Sequence, residues 1–314
     1  MNVPIFDSEA VRRELTPAAC TALMQDVLKK EAAGEYVQYL RTAIDLPNAN
    51  VLGLMPGWLG DCFGVKAISV YHTNGGTGYP SHQGVVQLFG AQYGNLLAMA
   101  DASAITEIRT GAVSAAASLA LADPDSHVLA VLGCGAQGRS HVLALCAAFP
   151  LTQVRLWDAN SAAAERLAQS CPVPAVVCGT AQSAAEGADI ICTVTPSVAP
   201  ILELEWVKPG AHINAVGACA PTARELGGSL TAASAFFCDN VESVLHESGD
   251  YRIPAEEGLI GPEHIRGTVG QVLLGRIPGR QSKTEITVFE ALGMAVEDVA
   301  CAKYLYEHGG KERL

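Results

Sequence analysis

The stretch that decides the fold is HVLAVLGCGAQG, residues 127–138. An apolar run typical of a buried strand is followed at once by glycines at the spacing G-x-G-x-x-G. In this pattern Gly133 permits a tight turn, Gly135 lets the backbone approach a pyrophosphate, and Gly138 lets the next helix pack closely on the strand. We expect that helix at 140–149, with the free N–H groups of its first turn facing the phosphates. The segment therefore predicts a dinucleotide-binding turn.

An acidic residue follows at the spacing expected for an NAD-binding domain. The next apolar run, VRLW, is followed by Asp158, 20 positions after Gly138. This is about the offset of the carboxylate that accepts from the ribose hydroxyls. Its charge would repel the 2′-phosphate of NADP, and residues 159–161 (Ala-Asn-Ser) supply no cation to hold that group. We expect NAD as the cofactor and leave NADP use open; the competing interpretation is a glycine-rich turn that binds nothing, beside a solvated acid.

The sequence on either side of the turn indicates two domains. Between 123 and 289, short apolar runs alternate with helical patterns, as in a doubly wound parallel sheet. Between 36 and 99, apolar runs are broken by Gly, Pro and Asn, which is typical of antiparallel strands. Helices are predicted at 7–33 (with a second start at Thr16), at 104–122 and from about 290. We expect an α/β fold with a Rossmann domain, 123–289, and a discontinuous β-rich α+β domain, 1–122 and 290–314.

Composition narrows the partners and the compartment. The 314 residues carry a formal net charge of −12, which disfavours nucleic acid and anionic membranes as partners. The N-terminal sequence has no signal-peptide pattern, and no apolar run approaches the ~20 residues of a membrane span. The ten cysteines form no C-x-x-C pair, so we expect reduced thiols and no metal site. These features predict a cytoplasmic protein in which an anionic ligand would need a local cationic pocket.

Several strings together resemble one family, that of ornithine cyclodeaminase and mu-crystallin. They are IRTGAVS (108–114), the GCGAQG turn, CTVT (192–195), WVKPGAHINAVGA (206–218) and TVFEALGMAVEDVACAKYLY (287–306). The similarity extends over nearly the whole chain. It implies a homodimer in which the β-rich domain supplies the dimer contact and the floor of the substrate site, while the Rossmann domain binds the nucleotide.

The resemblance also implies roles for individual residues. Arg41, Lys66 and Arg109 resemble the family's cationic substrate cluster. A guanidinium holds a carboxylate by two parallel charge-assisted hydrogen bonds, and a lysine among arginines gives up its proton more easily. Because Lys66 lies in an apolar strand pattern, an ordinary surface ion pair is the less favoured interpretation. The positions that match the family's nucleotide contacts are Thr110, Ala136, Gln137, Asp158, Thr195 and Val216, with Val288 near the nicotinamide.

Two branches of the family differ at positions that can be compared here. In the cyclodeaminase branch, the family resemblance implies that two carboxylates are needed: a Glu just before Met-Pro and an Asp just after Asn-Ala-Val-Gly. This chain has Gly53-Leu54 and Cys219 at those places, and their P-G-K pattern reads Pro-Thr-Ala at 221–223. The string PSHQ (80–83) instead resembles the ketimine reductases, and its His82 can protonate an imine or hold a carboxylate. Cys219 has no Cys-His-acid motif around it, so we interpret it as lining the substrate pocket.

These departures predict reduction of the C=N bond of a small cyclic or acyclic 2-imino acid, such as a pyrroline- or piperideine-2-carboxylate, to an L-amino acid. Arg41, Arg109 and Lys66 would hold the carboxylate, and the imine would either be bound already protonated or be protonated by Lys66 or His82. The nicotinamide would supply the hydride. Three alternatives stay open: an ornithine cyclodeaminase, an amino-acid dehydrogenase that starts from a 2-oxo acid and an amine, and a non-catalytic binding protein.

Overall fold

The computed structural model describes residues 3–74 and 77–309. The chain divides into two compact units, Met1–Arg109 together with Gly293–Leu314, and Thr110–Leu292. The first division lies inside a helix. The domain boundary of the sequence analysis, which follows that helix, stays a prediction.

Two helices follow a short strand at the start of the described chain. These elements are β1 (Ile5–Phe6), α1 (Ser8–Glu14) and α2 (Pro17–Ala33). The carboxylate of Asp7 caps α1 by accepting from a first-turn N–H at 2.9 Å, and the hydroxyl of Thr16 caps α2 ahead of a proline at its first position. The second start predicted at Thr16 is confirmed, because proline has no N–H with which to continue the helix before it.

An antiparallel sheet makes up much of the first unit. Its other strands are β2 (Val37–Gln38), β3 (Thr42–Leu46), β4 (Asn50–Trp58), β5 (Cys62–Val70), β6 (His82–Gly90) and β7 (Leu96–Asp101). The order is β1-β7-β6-β5-β4-β2, with β3 also paired to β4, and β1 pairs with β7 in the parallel sense. Side chains alternate between the two faces, so Cys62, Gly64 and Lys66 share the buried face and Phe63 and Val65 the outer one. Lys66 is thereby directed into the interior of the first unit.

The second unit, which is described throughout, alternates strands and helices as predicted. After α3 (Ala102–Leu121), which enters this unit at Thr110, come the strands β8 (Val128–Leu132), β9 (Gln153–Trp157), β10 (Ala175–Val177), β11 (Ile190–Thr193), β12 (His212–Ala215), β13 (Ala235–Cys238), β14 (Ile265–Thr268) and β15 (Thr287–Glu290). The helices are α4 (Ala136–Ala148), α5 (Ser161–Ala168), α6 (Ala181–Ala185), α7 (Gly228–Ala233), α8 (Val241–Glu247), α9 (Gly249–Glu256) and α10 (Val269–Leu273).

Strand order confirms the doubly wound parallel sheet. The strands lie in the order β10-β9-β8-β11-β12-β15-β13-β14, and each neighbouring pair is parallel. The chain runs outward from β8 to β10 and then returns to the other side of β8 as β11. The direction of winding therefore reverses between β8 and β11, and a sheet of this kind binds ligands beyond the carboxyl ends of the strands at that point.

Each face of the parallel sheet has its own apolar layer. Leu129 and Val131 of β8 pack in one layer with Leu145 of α4, whereas Ala130 and Leu132 belong to the opposite layer. A strand buried on both faces cannot show an apolar and polar alternation. This is why residues 128–132 form a continuous apolar run.

The chain ends in α11 (Ala295–His308), which belongs to the first unit. Glycines let this helix approach the antiparallel sheet closely: a Cβ at Gly64 would lie 3.0 Å from the side chain of Val299, and one at Gly57 would lie 3.0 Å from the backbone of Val296. Because of this close approach, the side chain of Asp298 in the first turn of α11 reaches Lys66.

Candidate functional site

Two buried cations of the first unit share one carboxylate. The Nζ of Lys66 donates to Oδ2 of Asp298 at 2.7 Å, and the Nε of Arg109 donates to Oδ1 of the same residue at 3.1 Å. The Nη1 of Arg109 also donates to Oε2 of Glu297 at 2.9 Å. The side chains of Lys66 and Arg109 are 3% and 6% exposed, and both acids are completely buried. Strand β5, the beginning of α3 and the first turn of α11 thus converge on one charged cluster.

Burial and neighbouring charges decide the proton states in this cluster. Burial lowers the pKa of Lys66; Asp298 opposes this shift, while Arg109 and Arg41 add to it. Burial would raise the pKa of Asp298, but the charges of Arg109 and Lys66 outweigh it, so that pKa is lowered. Although burial disfavours its charged form, the pKa of Arg109 is raised by Asp298 and Glu297. Lys66 is therefore the cation of the cluster from which a proton is most readily lost.

A third cation, Arg41, lies beside this cluster. Its Nη2 donates to the carbonyl oxygen of Gly293 at 3.4 Å. Together with Arg109, its charge adds to the lowering of the Lys66 pKa. Guanidinium groups bind carboxylates through charge-assisted hydrogen bonds, so these side chains could hold an anionic ligand.

Gly293 brings the two guanidinium groups to one place. It precedes α11 with φ +78°, and a Cβ on it would lie 2.7 Å from Nη1 of Arg109. Its carbonyl oxygen accepts the bond from Arg41. A left-handed backbone and the close approach of a side chain both require glycine here. The structure therefore brings together all three cations that the sequence analysis assigned to the substrate.

Of the two other predicted substrate residues, one lies away from this cluster within the first unit and the other belongs to the second unit. His82 is the exposed first residue of β6, whereas Lys66 pairs with Val86, four residues further along the same strand. At 3.3 Å per residue, about 13 Å of strand separates His82 from Lys66. Cys219 belongs to the second unit, where it is exposed in the loop after β12. A substrate role for either residue stays a prediction.

The glycine turn of the second unit has a geometry that fits a dinucleotide. Gly133 has φ +107°, and a Cβ at Gly138 would overlap its carbonyl oxygen. A Cβ at Gly135 would meet nothing within 4 Å, so there is open space above this backbone. Helix α4 begins at Ala136, four residues earlier than predicted, because Ala136, Gln137 and Gly138 of the motif already form its first turn. Gly135 supplies no side-chain cap, which leaves the first N–H groups for phosphate oxygens.

Asp158, the residue expected to bind the ribose, holds the glycine turn. It follows β9, and its Oδ2 accepts from the N–H of Cys134 at 2.7 Å, while Oδ1 accepts from Asn160 at 2.8 Å. The side chain is half-buried, and a carboxylate has lone pairs beyond the two that these bonds use. The arrangement fits a carboxylate that also accepts from ribose hydroxyls.

The remaining predicted nucleotide residues lie on four different segments of the second unit. A Cβ at Gly133 would lie 2.9 Å from Cγ2 of Thr195, so the loop after β11 touches the turn where the winding reverses. Val216 follows β12, and Thr110 is the first residue of the second unit. Val288 is completely buried inside β15. The nucleotide contacts of these four residues stay predictions.

Three acids that organise these sites were not predicted from the sequence. Glu297 and Asp298 form a pair of acids within the apolar run AVEDVACA of α11. Such a pair is a usable signal, because buried carboxylates need cationic partners. Glu225 lies in a loop, and its carboxylate accepts from Thr195 and from Gly217. No local pattern marks Glu225, since both partners come from other segments.

Several known proteins are similar to this chain in sequence and in fold. The model of the ornithine cyclodeaminase/mu-crystallin family matches residues 4–312. Ketimine reductase mu-crystallin of Mus musculus is 40% identical over 277 residues, which cover 87% of this chain and 86% of the relative. Delta(1)-pyrroline-2-carboxylate reductase of Thermococcus litoralis, solved in complex with NADH and L-proline, has a TM-score of 0.93 at 29% identity, with 97% of each chain covered. An archaeal alanine dehydrogenase dimer with bound NAD also has a TM-score of 0.93, at 30% identity, covering 98% of this chain and 96% of that one. The resemblance is thereby confirmed, and the chain belongs to the ornithine cyclodeaminase/mu-crystallin family.

Proposed function

We propose that this protein reduces the C=N bond of a small 2-imino acid with NADH and releases an L-amino acid. The observation that carries the proposal is the buried cluster of Lys66, Arg109, Asp298 and Glu297 with Arg41 beside it, which brings together ammonium and guanidinium groups of the kind that bind a carboxylate. The family includes NAD(P)-dependent oxidoreductases that act on imines. A ketimine reductase and a pyrroline-2-carboxylate reductase among the relatives support the same substrate class.

Arg109 and Arg41 bind the substrate carboxylate in this proposal. The guanidinium of Arg109 is oriented by two acids, through Nε and Nη1, and its planar fork presents further N–H donors at fixed angles. Arg41 is held beside it through Gly293. Two fixed cations restrain both the position and the rotation of a carboxylate, which places the adjacent C=N bond in one orientation.

Lys66 donates the proton that the reaction consumes. Its Nζ is fixed by Asp298 at 2.7 Å and by Oγ1 of Thr106 at 3.4 Å. The nicotinamide cofactor, when bound, supplies the hydride. The imine carbon gains that hydride and its two electrons, the imine nitrogen takes the proton from Nζ, and the C=N double bond becomes a C–N single bond. Asp298 remains an anion and holds the neutral amine of Lys66 until solvent returns a proton.

NADH rather than NADPH is the proposed reductant. Asp158 places a negative charge beside the expected ribose site, and residues 159–161 contain no cation to receive a 2′-phosphate. A carboxylate and a phosphate are both anions and repel each other when they lie close together. The preference is therefore a matter of charge at one position.

The alternatives are separated by one substrate panel. Cyclic 2-imino acids, 2-oxo acids mixed with ammonia or methylamine, and ornithine are each incubated with the matching nicotinamide coenzyme, in both the NAD and the NADP forms. We expect the fastest oxidation of NADH with a cyclic imine. Turnover confined to 2-oxo acid plus ammonia would indicate an amino-acid dehydrogenase, ammonia release from ornithine would indicate a cyclodeaminase, and binding without turnover a carrier. Each of these last three outcomes would overturn the proposal.

A homodimer through the outer face of the antiparallel sheet is part of this proposal. Trp58, Phe63 and Phe89 stack in a row there, with ring centroids 5.9 and 5.3 Å apart. Trp58 is 36% exposed, and an aromatic row left open to water favours association. We expect Phe63→Glu to give monomers by light scattering, whereas Tyr93→Glu, at a residue 80% exposed in the turn after β6, should leave the dimer intact. A dimeric Phe63→Glu variant would place the contact elsewhere.

A reducing compartment, the cytoplasm, is the proposed location. All ten cysteines lie in described residues and are free thiols, as is usual where glutathione keeps thiols reduced. Separately, the residues that the structure describes contain no helix long and apolar enough to cross a bilayer.

A further inference from the structure

One buried carboxylate outside the predicted site residues joins two loops of the second unit. The Oε1 of Glu225 accepts from the N–H of Thr195 at 2.7 Å and from its hydroxyl at 2.6 Å. The Oε2 accepts from the N–H of Gly217 at 2.8 Å. Thr195 follows β11 and Gly217 follows β12. A single side chain therefore ties together the loops after two adjacent parallel strands.

The loop after β11 also touches the glycine turn. A Cβ at Gly133 would lie 2.7 Å from the carbonyl oxygen of Val194 and 2.9 Å from Cγ2 of Thr195. Strands β8 and β11, which these segments follow, are the pair between which the winding reverses. Ligands of doubly wound sheets bind beyond the carboxyl ends of the strands at this point. The position of Thr195 therefore sets one wall of the expected dinucleotide crevice.

Glu225 is itself fixed on every side. Its N–H and that of Leu226 donate to Oδ1 of Asp250 at 2.9 and 2.7 Å. Its carbonyl oxygen accepts from Ile201 at 2.7 Å and from Leu202 at 3.1 Å. Burial raises the pKa of Glu225, and the bonds from Thr195 and Gly217 oppose this shift. Such a desolvated carboxylate is maintained only because three donors point at it.

We propose that Glu225 is a positioning residue of the nucleotide site, which holds Thr195 and Gly217 so that the two loops receive the nicotinamide half of NADH. This inference rests on the proposed function, because it takes the crevice as the dinucleotide site. Glu225 touches no reacting atom and acts through the loops that it holds.

The test measures NADH binding by fluorescence titration, without any imine present. Glu225→Gln keeps the size of the side chain but directs an NH₂ group at an N–H donor. We expect its Kd for NADH to rise about tenfold or more, since at least one charge-assisted bond is lost. The KM for the imine should change little, because the cation cluster belongs to the first unit. Thr195→Val, which removes the hydroxyl that donates to Glu225, should also weaken NADH binding. The control Glu256→Gln, at a surface glutamate that is 71% exposed, should bind NADH as the wild type does.

The double variant Glu225→Gln/Thr195→Val distinguishes positioning from general damage. If Glu225 acts through Thr195, the double variant binds NADH about as well as Glu225→Gln alone; two losses that multiply would overturn the inference. NADH binding by Glu225→Gln within about threefold of the wild type would also overturn it. If Glu225→Gln fails to fold, Thr195→Val decides, and an NADH affinity equal to that of the control Glu256→Gln would count against the inference. A wild type that binds NADH but reduces no imine would remove the proposed function and leave this inference standing.

Discussion

Replacing Lys66 by methionine tests the proposed proton donor with little change in shape. The variant keeps an unbranched side chain beneath α11 and removes the 2.7 Å bond to Asp298, while the bond from Nε of Arg109 to Asp298 remains. The variant also removes one positive charge from the cluster. Both the proton and a charge that attracts a carboxylate are therefore lost.

Two kinetic losses are expected from Lys66→Met. Removal of a positioned general acid lowers kcat by about 10² to 10⁴, equivalent to roughly 3–5 kcal/mol. Loss of a charged hydrogen-bond partner weakens carboxylate binding by about 1.5–3 kcal/mol, which raises KM about tenfold or more. Removing one partner of a buried ion pair costs stability, roughly 3–5 kcal/mol. The variant should still fold, because Asp298 keeps its bond from Arg109.

The assay follows NADH oxidation with a cyclic imine over a series of pH values. Because burial lowers the pKa of Lys66 and the donor must be protonated, wild-type kcat should fall as the pH rises through that lowered pKa. Lys66→Met should lack this fall. The matched control is Lys303→Met, which removes a lysine of α11 that pairs with Asp61 at 2.7 Å outside the cluster. If Lys66→Met keeps kcat within about threefold of the wild type, with an unchanged pH profile, Lys66 is not the proton donor.

Three further predictions concern single positions. Gly293→Ala should raise the KM for the imine and leave the Kd for NADH unchanged, because its Cβ would lie 2.7 Å from Nη1 of Arg109; Gly258→Ala, at φ +75° with nothing within 4 Å, is the control for backbone strain alone, and equal kinetics of the two would contradict the reasoning. Asp158→Asn should lower the ratio of kcat/KM for NADH over NADPH by about tenfold or more, and an unchanged ratio would separate Asp158 from coenzyme choice. Burial lowers the pKa of His141 to about 4 from 6.5. Between pH 6.5 and 4, His141 is therefore protonated in the unfolded chain and neutral in the folded chain. The free energy of unfolding should thus fall by about 3 kcal/mol between pH 6.5 and 4 on account of this residue, and urea unfolding of His141→Gln should show a correspondingly shallower fall.

The glycine turn was predictable because its demands are local. Each glycine of residues 133–138 answers a backbone requirement within a few residues, and the acid that completes the motif lies one strand further on. The predicted start of α4 was wrong because the apolar periodicity begins only after the glycine motif. The helix itself already begins at Ala136. The periodicity of apolar residues indicates which residues are buried. It does not indicate where the backbone hydrogen bonds of a helix begin.

The cation cluster was predictable only by half. The apolar pattern around Lys66 indicates that it is buried, but its partner Asp298 lies 232 positions away along the chain. Glu225 and Thr195 are 30 positions apart and meet through strand order, which no local pattern contains. A buried charge in a sequence predicts that a partner exists, while the fold alone selects that partner.

The bond between Asp158 and the N–H of Cys134 bears on how coenzyme preference changes in evolution or by design. A basic residue at position 158 would attract the 2′-phosphate of NADP. It would also leave the N–H of Cys134 without its acceptor and destabilise the glycine turn, which both coenzymes need. Affinity for either dinucleotide would then decline together. A stepwise change would first introduce a cation at 159–161 while Asp158 still holds the glycine turn. Proteins that change from NADH to NADPH should therefore alter residues 159–161 before Asp158.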